Sequence, residues 1–441
     1  MLTEILSQKT CAKCRFCCVF SPSAVWEIPS EIEVDRTSLT DETVCPHMKE
    51  GYGCTLGDQK PIECQMWPLR VMKRDNKLYF TVSTRCFEYS DEFTKKLTAM
   101  LKNGLFERVL ELIKTNPEII KDYHPSYRIL CSVDGEDYGF GDALFFRCPE
   151  IGDVKRINST VSVRPEPICE YSAGSVIALA QKYDTELAFE DECMYCYMPG
   201  RNIPGYASYL MPITFDIEAS IEKLKKHSEL LGLKTLLWGV REDELEYLSQ
   251  YGIEYDAEEM RDWFDYVYRT TDLAGLEGKA LRKRKTAYNK FLNDFDGRYS
   301  FKEIEQNDIQ KIREYQKKWL AERIKATGKN KGLISENDQI DYILSNYKLI
   351  EACGAYTEID GRVAGYTICL PLGRNSLDMT TLKCDREFQN LNIFTISNFA
   401  RLHTDIEYLN FEEDIGSEGL RKFKTDLQPC KLLEKYRVIL K

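Results

Sequence analysis

Cysteines are concentrated at the start of this chain, and their clustering constrains its fold more than any other feature. Eight of the seventeen precede residue 90: Cys11, Cys14, Cys17, Cys18, Cys45, Cys54, Cys64 and Cys86. The first four read C-x2-C-x2-C-C, a spacing in which one turn aims two thiolates at a single ion. The stretch from Cys45 to Cys64 is rich in Gly and Pro and lacks apolar periodicity, so bound metal would supply its folding energy. The sequence therefore predicts a cysteine-ligated metal site.

The identity of the metal stays open at this stage. All of these ligands are soft, which suits Zn²⁺ and an iron–sulfur cluster equally. One Zn²⁺ ion or one cubane needs four ligands, so the true ligands among the eight thiols are also open. Disulfides are disfavoured in a reducing compartment. His47 lies beside Cys45, and we interpret it as a surface histidine.

The N-terminal motifs are similar to those of a known family. CAKCRFCC, then CPHM and GYGCTLGDQKPIECQMWPL, then Cys86, resemble the YkgJ-type cysteine-cluster family of zinc- or iron-chelating domains. This chain has Lys60-Pro61 where that family often has Arg-Pro. The resemblance implies a zinc- or iron-chelating domain at residues 1–90.

The length and net charge of the chain limit the number of domains and the kinds of partner that it can have. A chain of 441 residues is expected to form two or three domains. Its net charge of −11 argues against general coating of nucleic acid, although a local basic groove remains compatible with it. The sequence shows no secretory signal and no apolar stretch near the roughly 20 residues of a membrane helix, so we expect a cytoplasmic protein. Apolar residues at helical spacing predict a helical connector over residues 91–125.

Strand and helix patterns in the remaining body repeat in one order, β-β-β-α-β-α-β, which indicates a mixed α/β fold. In the C-terminal half the predicted segments are Ala355–Ile359, Arg362–Leu370, Ser376–Cys384, Phe388–His403, Tyr408–Phe411, Ser417–Leu427 and Leu432–Leu440. In the preceding half they are Leu187–Glu190, Met194–Met198, Tyr209–Ile213, Ile217–Leu231, Thr235–Val240, Glu242–Gln250 and Ile253–Asp256. We therefore expect tandem domains at residues 126–265 and 266–441, the second of them catalytic.

That order of elements resembles the GCN5-related N-acetyltransferase (GNAT) fold. In that fold two central strands splay apart and the acyl donor lies in the gap. The usual glycine-containing loop that approaches a CoA pyrophosphate is missing here, because Cys384–Asn392 contains no glycine. Acyl-CoA is therefore the less favoured donor. A generic α/β sheet without catalysis is the alternative.

Two further motifs resemble the cytosolic C-terminal domain of phosphatidylglycerol lysyltransferases (DUF2156), a tandem GNAT-like family. They are WFDYVYRTTDLAGLEGKALRKRKTAYNKF, beginning at Trp263, and LNFEEDIGSEGLRKFKTDLQP, beginning at Leu409. The resemblance spans roughly residues 165 to 438. It implies transfer of an aminoacyl group from aminoacyl-tRNA.

The second motif contains the candidate catalytic residues Glu413, Asp414, Arg421 and Lys424. A carboxylate after the strand could accept a proton from an attacking amine or hydroxyl. Arg421 and Lys424, at i and i+3 on one helix face, could hold a phosphate or offset charge on an oxyanion. The alternative is structural, with Asp414 capping the helix and Arg421 in a salt bridge.

The first motif contains a basic stretch between Lys279 and Lys290, from which we assign Arg282, Arg284, Lys285 and Asn289 to donor binding. Such a patch in an acidic protein suits the phosphates of a tRNA acceptor end. This chain has Arg284-Lys285-Thr286 where the family usually has Lys-Arg-Asn. A solvated helix face is the alternative.

Together these features predict a bacterial aminoacyltransferase with an N-terminal domain that chelates zinc or iron. Without a membrane segment, a peptide, amine or small-molecule acceptor fits better than a lipid. The alternatives are a non-catalytic metal-containing module that binds RNA or protein, an acyl-CoA-dependent N-acyltransferase, and a transferase controlled by the cluster as a redox or iron sensor.

Overall fold

The fold is mixed α/β, as the sequence predicts. The computed structural model describes residues 18–20, 26–29, 31–34, 43–49, 52–74, 76–84, 86, 89–124, 127–133, 144–180, 184–190, 192–201, 203–328 and 331–441. They form two compact units, one within 1–148 and 223–233, the other within 149–222 and 234–441. Among the described helices, none has both the length and the apolar composition needed to cross a bilayer.

Short elements surround the described N-terminal cysteines. They are β1 (Val19–Phe20), β2 (Thr43–Val44), β3 (Met48–Lys49), β4 (Gly53–Cys54) and the helix α1 (Ile62–Met66). β1 pairs with β2 and β3 with β4, both antiparallel. Two-residue strands bury little surface, in agreement with the weak apolar pattern of this stretch. The predicted ligands Cys11, Cys14 and Cys17 lie outside the described residues.

The first unit also contains a four-stranded sheet that the sequence pattern did not reveal. Its order is β7-β5-β6-β8, formed by β5 (Leu69–Arg74), β6 (Lys77–Ser83), β7 (Lys121–Asp122) and β8 (Tyr127–Ser132). Helices α2 (Asp91–Met100) and α3 (Phe106–Thr115) share one apolar core with this sheet. They lie within the connector expected to be helical over residues 91–125, but Lys121–Asp122 of that range is the strand β7 instead. The Ser90 hydroxyl accepts a hydrogen bond from the Phe93 N–H at 3.1 Å and so caps α2.

The second unit is built on two mixed sheets with helices. Its helices are α4 (Val154–Val161), α5 (Ala173–Ala178), α6 (Ile217–Leu230, which spans the unit boundary), α7 (Glu242–Gln250), α8 (Thr270–Gly275), α9 (Gly278–Asp294), α10 (Ile309–Thr327), α11 (Lys331–Ser345), α12 (Leu391–Leu402) and α13 (Glu418–Asp426). Its strands are β9 (Glu186–Glu190), β10 (Cys193–Tyr197), β11 (Tyr206–Leu210), β12 (Lys234–Arg241), β13 (Tyr255–Glu259), β14 (Asp265–Arg269), β15 (Tyr299–Glu303), β16 (Cys353–Ile359), β17 (Arg362–Leu372), β18 (Ser376–Cys384), β19 (Tyr408–Asn410), β20 (Lys431–Leu433) and β21 (Lys435–Leu440).

Each sheet contains one parallel pair among antiparallel neighbours. The first sheet has the order β13-β21-β12-β11-β10-β9, and the second has the order β15-β16-β17-β18-β19-β14-β20. β11 and β12 are the parallel pair of the first sheet, β18 and β19 that of the second. The repeated order of elements predicted from the sequence is thereby confirmed.

Two predicted segments need correction. The strand expected at Tyr209–Ile213 lies instead at Tyr206–Leu210, and Pro212, which has no N–H to donate to a ladder, follows its end. The final strand expected at Leu432–Leu440 is divided at Glu434. Its first part, β20, belongs to the second sheet, and its second part, β21, lies between β12 and β13 of the first sheet.

Candidate active site

The parallel strands β18 and β19 part shortly after they meet. Their register pairs Ser376 with Tyr408, Leu377 with Leu409 and Asp378 with Asn410. β19 then ends, whereas β18 continues to Cys384 without a described partner on that side. We call the point beyond Asp378 and Asn410 the strand fork. Main-chain groups of β18 beyond the fork therefore have no strand partner on that side among the described residues.

Acidic side chains converge on the strand fork from several elements. The acidic cluster, as we name it, consists of Glu170, Asp265, Asp378, Glu412 and Glu413, together with Cys169, Asn410 and Lys435. Cys169 and Glu170 form a helical turn ahead of α5, and Asp265 begins β14. Glu412 and Glu413 follow β19, and Lys435 begins β21.

Lys435 is the cation at the centre of the acidic cluster. Its ammonium lies 2.5 Å from Glu170 Oε2 and 2.6 Å from Asp265 Oδ1, and its side chain is 1% exposed. Burial alone would lower the pKa of Lys435, but the carboxylates of Asp265 and Glu170 raise it well above its usual value. The same pairing outweighs burial at Glu170 and lowers the pKa of that carboxyl. Lys435 therefore stays charged.

The Cys169 thiol lies among carboxylates. Its Sγ is 3.3 Å from an oxygen of each of Glu170, Asp265 and Glu413, and the Cys169 N–H donates to Asp265 Oδ2 at 2.8 Å. Burial, followed by the charge of Asp265, raises the pKa of the thiol well above its usual value. A thiol held in the neutral form is a poor nucleophile, so Cys169 acts here as a hydrogen-bonding group.

Glu413 has the properties expected of a general base. Burial raises the pKa of its carboxyl, and Lys435 opposes that rise. A raised pKa brings the carboxyl closer to neutral pH, where a base both holds and releases protons effectively. Glu413 keeps part of its surface exposed beside the strand fork.

Asp414, in contrast, is held in an ion pair. Arg421 donates to both of its oxygens, Nε at 2.9 Å and Nη2 at 2.8 Å, and the Tyr266 hydroxyl donates at 2.6 Å. These hydrogen bonds overcome the effect of burial and lower the pKa of Asp414 to about 2. Gly416, whose N–H also donates to Asp414, adopts a φ of 74°, a conformation that favours glycine. Asp414 and Arg421 thus fix the loop that carries Glu413.

Lys424 stabilises the loop that carries Glu413 through hydrogen bonds to main-chain carbonyls. Its ammonium donates to the carbonyl oxygens of Phe411 at 2.5 Å, Glu412 at 3.2 Å and Glu413 at 2.6 Å. These three contacts use its three donors. Lys424 and Arg421 therefore lie on the helix face towards the loop, as their spacing indicates, but both are engaged with the protein.

The residues assigned to donor binding lie on α9 and differ in their surroundings. Arg284 pairs with Asp426 at 2.7 Å, and the Lys285 ammonium donates to the Gly275 carbonyl at 2.7 Å. Arg282 and Asn289 are exposed on the same helix. None of the contacts of these four residues connects them with the acidic cluster.

The corresponding gap in the first sheet is filled by protein. There the parallel pairing of β11 with β12 ends at Leu210 and Trp238. Beyond it the Tyr171 hydroxyl donates to the Met211 carbonyl at 2.5 Å, and Arg164 donates to the Pro212 carbonyl at 3.0 Å. Gly239 in β12 adopts a φ of 63°, a conformation that favours glycine. In the first sheet, protein side chains therefore hydrogen-bond to the main chain beyond the end of the parallel pair.

Two groups of side chains have the chemistry of metal ligands. Cys169, Glu170 and Asp265 bring ligand atoms within 4.8 Å of one another, but the Lys435 ammonium already supplies the cation between the two carboxylates. In the first unit, burial raises the pKa of Cys64 to about 12, and the neighbouring thiols Cys18, Cys45 and Cys54 add to the rise. The charges of three predicted ligands therefore act on Cys64, whereas Cys86 is buried in the apolar core beside the sheet.

Sequence reasoning missed most of the acidic cluster. Asp265 and Asp378 each lie in or at the start of a strand with apolar neighbours, and Lys435 begins a strand in which its side chain is buried. A buried charge in such a pattern is costly unless it is paired, and that is the signal that could have identified these residues. Glu170 carries no comparable local signal.

Residues 163–439 match the protein family described as phosphatidylglycerol lysyltransferase, C-terminal. A conserved protein of unknown function from Bacteroides thetaiotaomicron VPI-5482 is 24% identical with a TM-score of 0.63, covering 68% of this chain and all of that one. The DUF2156 C-terminal domain of an Agrobacterium fabrum protein is 15% identical (TM-score 0.48, 65% and 91% covered). L-PGS from Bacillus licheniformis is 11% identical (TM-score 0.46, 65% and 91% covered). Among curated proteins, none matches the chain.

Proposed function

The chain belongs to the phosphatidylglycerol lysyltransferase C-terminal family, and from this premise we propose that it transfers an aminoacyl group from aminoacyl-tRNA to an amine or hydroxyl acceptor. The observation that carries the proposal is the position of the acidic cluster, which contains Glu413, at the strand fork. The fork is where main-chain donors of a parallel sheet become free, and the cluster supplies a base beside them.

In the proposed reaction Glu413 accepts a proton from the attacking group. Attack on the acyl ester gives a tetrahedral intermediate whose oxyanion is stabilised by main-chain N–H groups of β18 at the fork. The ester C–O bond then breaks, and the leaving ribose oxygen takes up a proton. Lys435 holds Glu170 and Asp265 in place and moderates the pKa of Glu413.

The turn before α12 supports a donor other than acyl-CoA. In the GNAT fold a pyrophosphate would lie at this helix N-terminus, where main-chain amides and the helix dipole favour anions. Here Asp385 and Glu387 place carboxylates in that turn, and Phe388 is buried in the core. The Tyr315 hydroxyl donates to Asp385 at 2.9 Å and fixes it there. Two carboxylates would repel a pyrophosphate.

An aromatic and basic surface beside Glu170 supports a nucleic-acid donor. The Arg201 guanidinium lies 4.9 Å from the centre of the Trp263 ring and 3.9 Å from Glu170. Trp263 and Trp238 have ring centroids 6.2 Å apart, and Arg437 lies 5.8 Å from the Trp238 ring. Unpaired bases stack on such rings and guanidinium groups. The exposed basic residues of α9, Arg282 among them, would add phosphate contacts.

For the N-terminal domain we propose a bound zinc ion or iron–sulfur cluster. The donor set fits, because Cys18, Cys45, Cys54 and Cys64 are all thiols and mutual neighbours. The Cys45 N–H donates to the Cys18 carbonyl at 2.7 Å and keeps these two residues together. A metal would hold the thiolates that crowding otherwise disfavours.

The transferase proposal is tested with the purified full chain and tRNA charged with radiolabelled amino acids. We expect label to move from tRNA to a small acceptor, and Glu413→Gln to lower the rate by about 10²- to 10⁴-fold. Glu407→Gln, at an exposed carboxyl that pairs with Arg269, is the matched control and should keep the wild-type rate. If no charged tRNA gives transfer above background, the proposed donor is wrong. Wild-type turnover in Glu413→Gln would exclude Glu413 as the base.

A further inference from the structure

The acidic cluster contains more carboxyls than its lysine ammonium groups pair with. Lys435 pairs with Glu170 and Asp265, and Lys424 gives its donors to main-chain carbonyls. Both carboxyl oxygens of Asp378 lack a hydrogen-bond donor among the described residues. Burial, followed by the charges of neighbouring carboxyls, raises the pKa of Asp378 and of Glu412 well above its usual value, and Lys435 and Lys424 do not offset that rise.

Asp378 is the stronger of these two observations. Its side chain is fully buried, and both carboxyl oxygens lack a hydrogen-bond donor. The groups that act on it electrostatically are Asp265, Glu413, Lys435 and Glu170, so it faces the acidic cluster. Buried polar groups are almost always paired in proteins, so a buried carboxyl without a donor indicates a partner that arrives with a ligand.

We propose that the acceptor is a primary amine, which enters as an ammonium ion and is bound by the carboxyls of Asp378 and Glu412. This inference rests on the proposed transfer reaction and specifies its acceptor, so that the product is an amide. An ammonium carries three N–H donors, which match the unpartnered oxygens, and a positive charge, which would favour the carboxylate form of both groups.

Other acceptor classes fit the acidic cluster less well. A hydroxyl brings a single donor and no charge, so it would leave Asp378 or Glu412 unsatisfied. A phosphate-bearing lipid headgroup would be repelled by the carboxyls around the strand fork. Glu412 and Glu413 remain partly exposed, so a small ammonium can reach the cluster from the side of their loop.

The proposed step balances in atoms and charge. The bound ammonium gives one proton to the Glu413 carboxylate, and the free amine attacks the ester carbonyl of the aminoacyl-tRNA. A C–N bond forms and the ester C–O bond breaks. The second nitrogen proton goes to the leaving ribose oxygen, and the proton on Glu413 is released to water. The products are an amide and uncharged tRNA.

The test measures binding in the absence of any donor. The full chain is titrated calorimetrically with methylammonium chloride and with 1,4-diaminobutane, and with 1,4-butanediol as the neutral analogue. We expect both amines to bind and the diol not to bind. Asp378→Asn should weaken amine binding at least tenfold. The variant should fold, because it replaces a carboxyl that has no partner, and its melting temperature checks this. Asp360→Asn, in an exposed hairpin turn paired with Arg298, is the control.

Three results would overturn the inference: no amine binding at 50 mM, equal binding of the diol, or wild-type amine affinity in Asp378→Asn. The outcome is separable from that of the transferase proposal. Amine binding without any tRNA-dependent transfer would overturn the proposed function and leave the ammonium site intact. Transfer to hydroxyl acceptors without amine binding would overturn the ammonium site and leave the proposed transferase function intact.

Discussion

The ammonium of Lys435 lies 2.6 Å from Asp265 Oδ1, although the two residues belong to strands of different sheets. β21, which Lys435 begins, completes the first sheet, whereas Asp265 begins β14 of the second. The end of the chain therefore joins the two sheets of the second unit and places the central cation of the acidic cluster. Stability and the geometry of the site depend on the same residue.

Replacing Lys435 with methionine should destabilise the protein strongly. The variant leaves Glu170 and Asp265 buried without their cation, and loss of one partner of a buried ion pair typically costs about 3–5 kcal/mol. Urea unfolding followed by circular dichroism gives the free energy of unfolding. Lys431→Met is the matched control, because Lys431 pairs with Glu166 at a partly exposed position, where such pairs contribute about 1 kcal/mol or less. Equal losses in the two variants would contradict the central role of Lys435.

The ion pair of Asp414 with Arg421 should make stability depend on acidic pH. The folded-state pKa of Asp414, about 2, lies below its usual value of 3.8. Its contribution is therefore complete above about pH 4 and is lost as the pH falls towards 2, with a magnitude of about 2 kcal/mol. Unfolding of wild type and Asp414→Asn is compared at a series of pH values. A stability difference that persists unchanged at pH 2 would show that ionisation of Asp414 is not its source.

The helices and strands of the second unit could be predicted from sequence because each has a local pattern of apolar and turn residues. Strands β16 and β17 are mostly apolar runs that flank Asp360-Gly361, a turn pair that favours hairpins. The loop Glu412–Gly416 and the helix face of Arg421 and Lys424 were found because a single motif contains them.

The acidic cluster could not be predicted in this way. Asp265, Asp378 and Lys435 lie far apart in the chain, and only the sheet order β18-β19-β14 and the crossing of β21 to the other sheet bring them together. Strand order is set by long-range packing, which no local period encodes. A single motif therefore identified Asp414 and Arg421 as candidates for chemistry, and in the structure they form the ion pair that holds the loop of Glu413.

Cys169 should resist alkylation in the folded protein. Burial and the neighbouring carboxylates raise the pKa of its thiol, and alkylating reagents need an accessible thiolate. After iodoacetamide treatment at pH 8, mass spectrometry should find Cys169 unmodified in native protein and modified after unfolding in urea. Cys430, which is exposed, is the internal control and should be modified under native conditions. Rapid native labelling of Cys169 would contradict the buried geometry.

The N-terminal thiols should retain metal on purification without oxygen. A brown protein absorbing broadly near 400 nm would identify thiolate-bound iron, whereas a colourless protein with stoichiometric zinc would identify a zinc site. Cys64→Ser should lower the metal content, because Cys64 has Cys18, Cys45 and Cys54 as neighbours. Cys196→Ser, at a buried cysteine in β10 of the second unit, should leave the metal content unchanged. Metal-free wild-type protein from anaerobic preparations would exclude the proposed site.

The acid limb of the pH–rate profile should report Glu413. As a base it acts only when deprotonated, so kcat/KM is expected to rise with pH through the raised pKa of this carboxyl. Lys435 lowers that pKa, because its positive charge favours the carboxylate form. Lys435→Met should therefore move the acid limb to higher pH, whereas Lys435→Arg, which keeps the charge, should move it less. Profiles are measured at temperatures where circular dichroism shows each variant folded. An acid limb at the same pH in all three proteins would mean that the controlling group is not electrostatically coupled to Lys435, and Glu413 would then be excluded as the base.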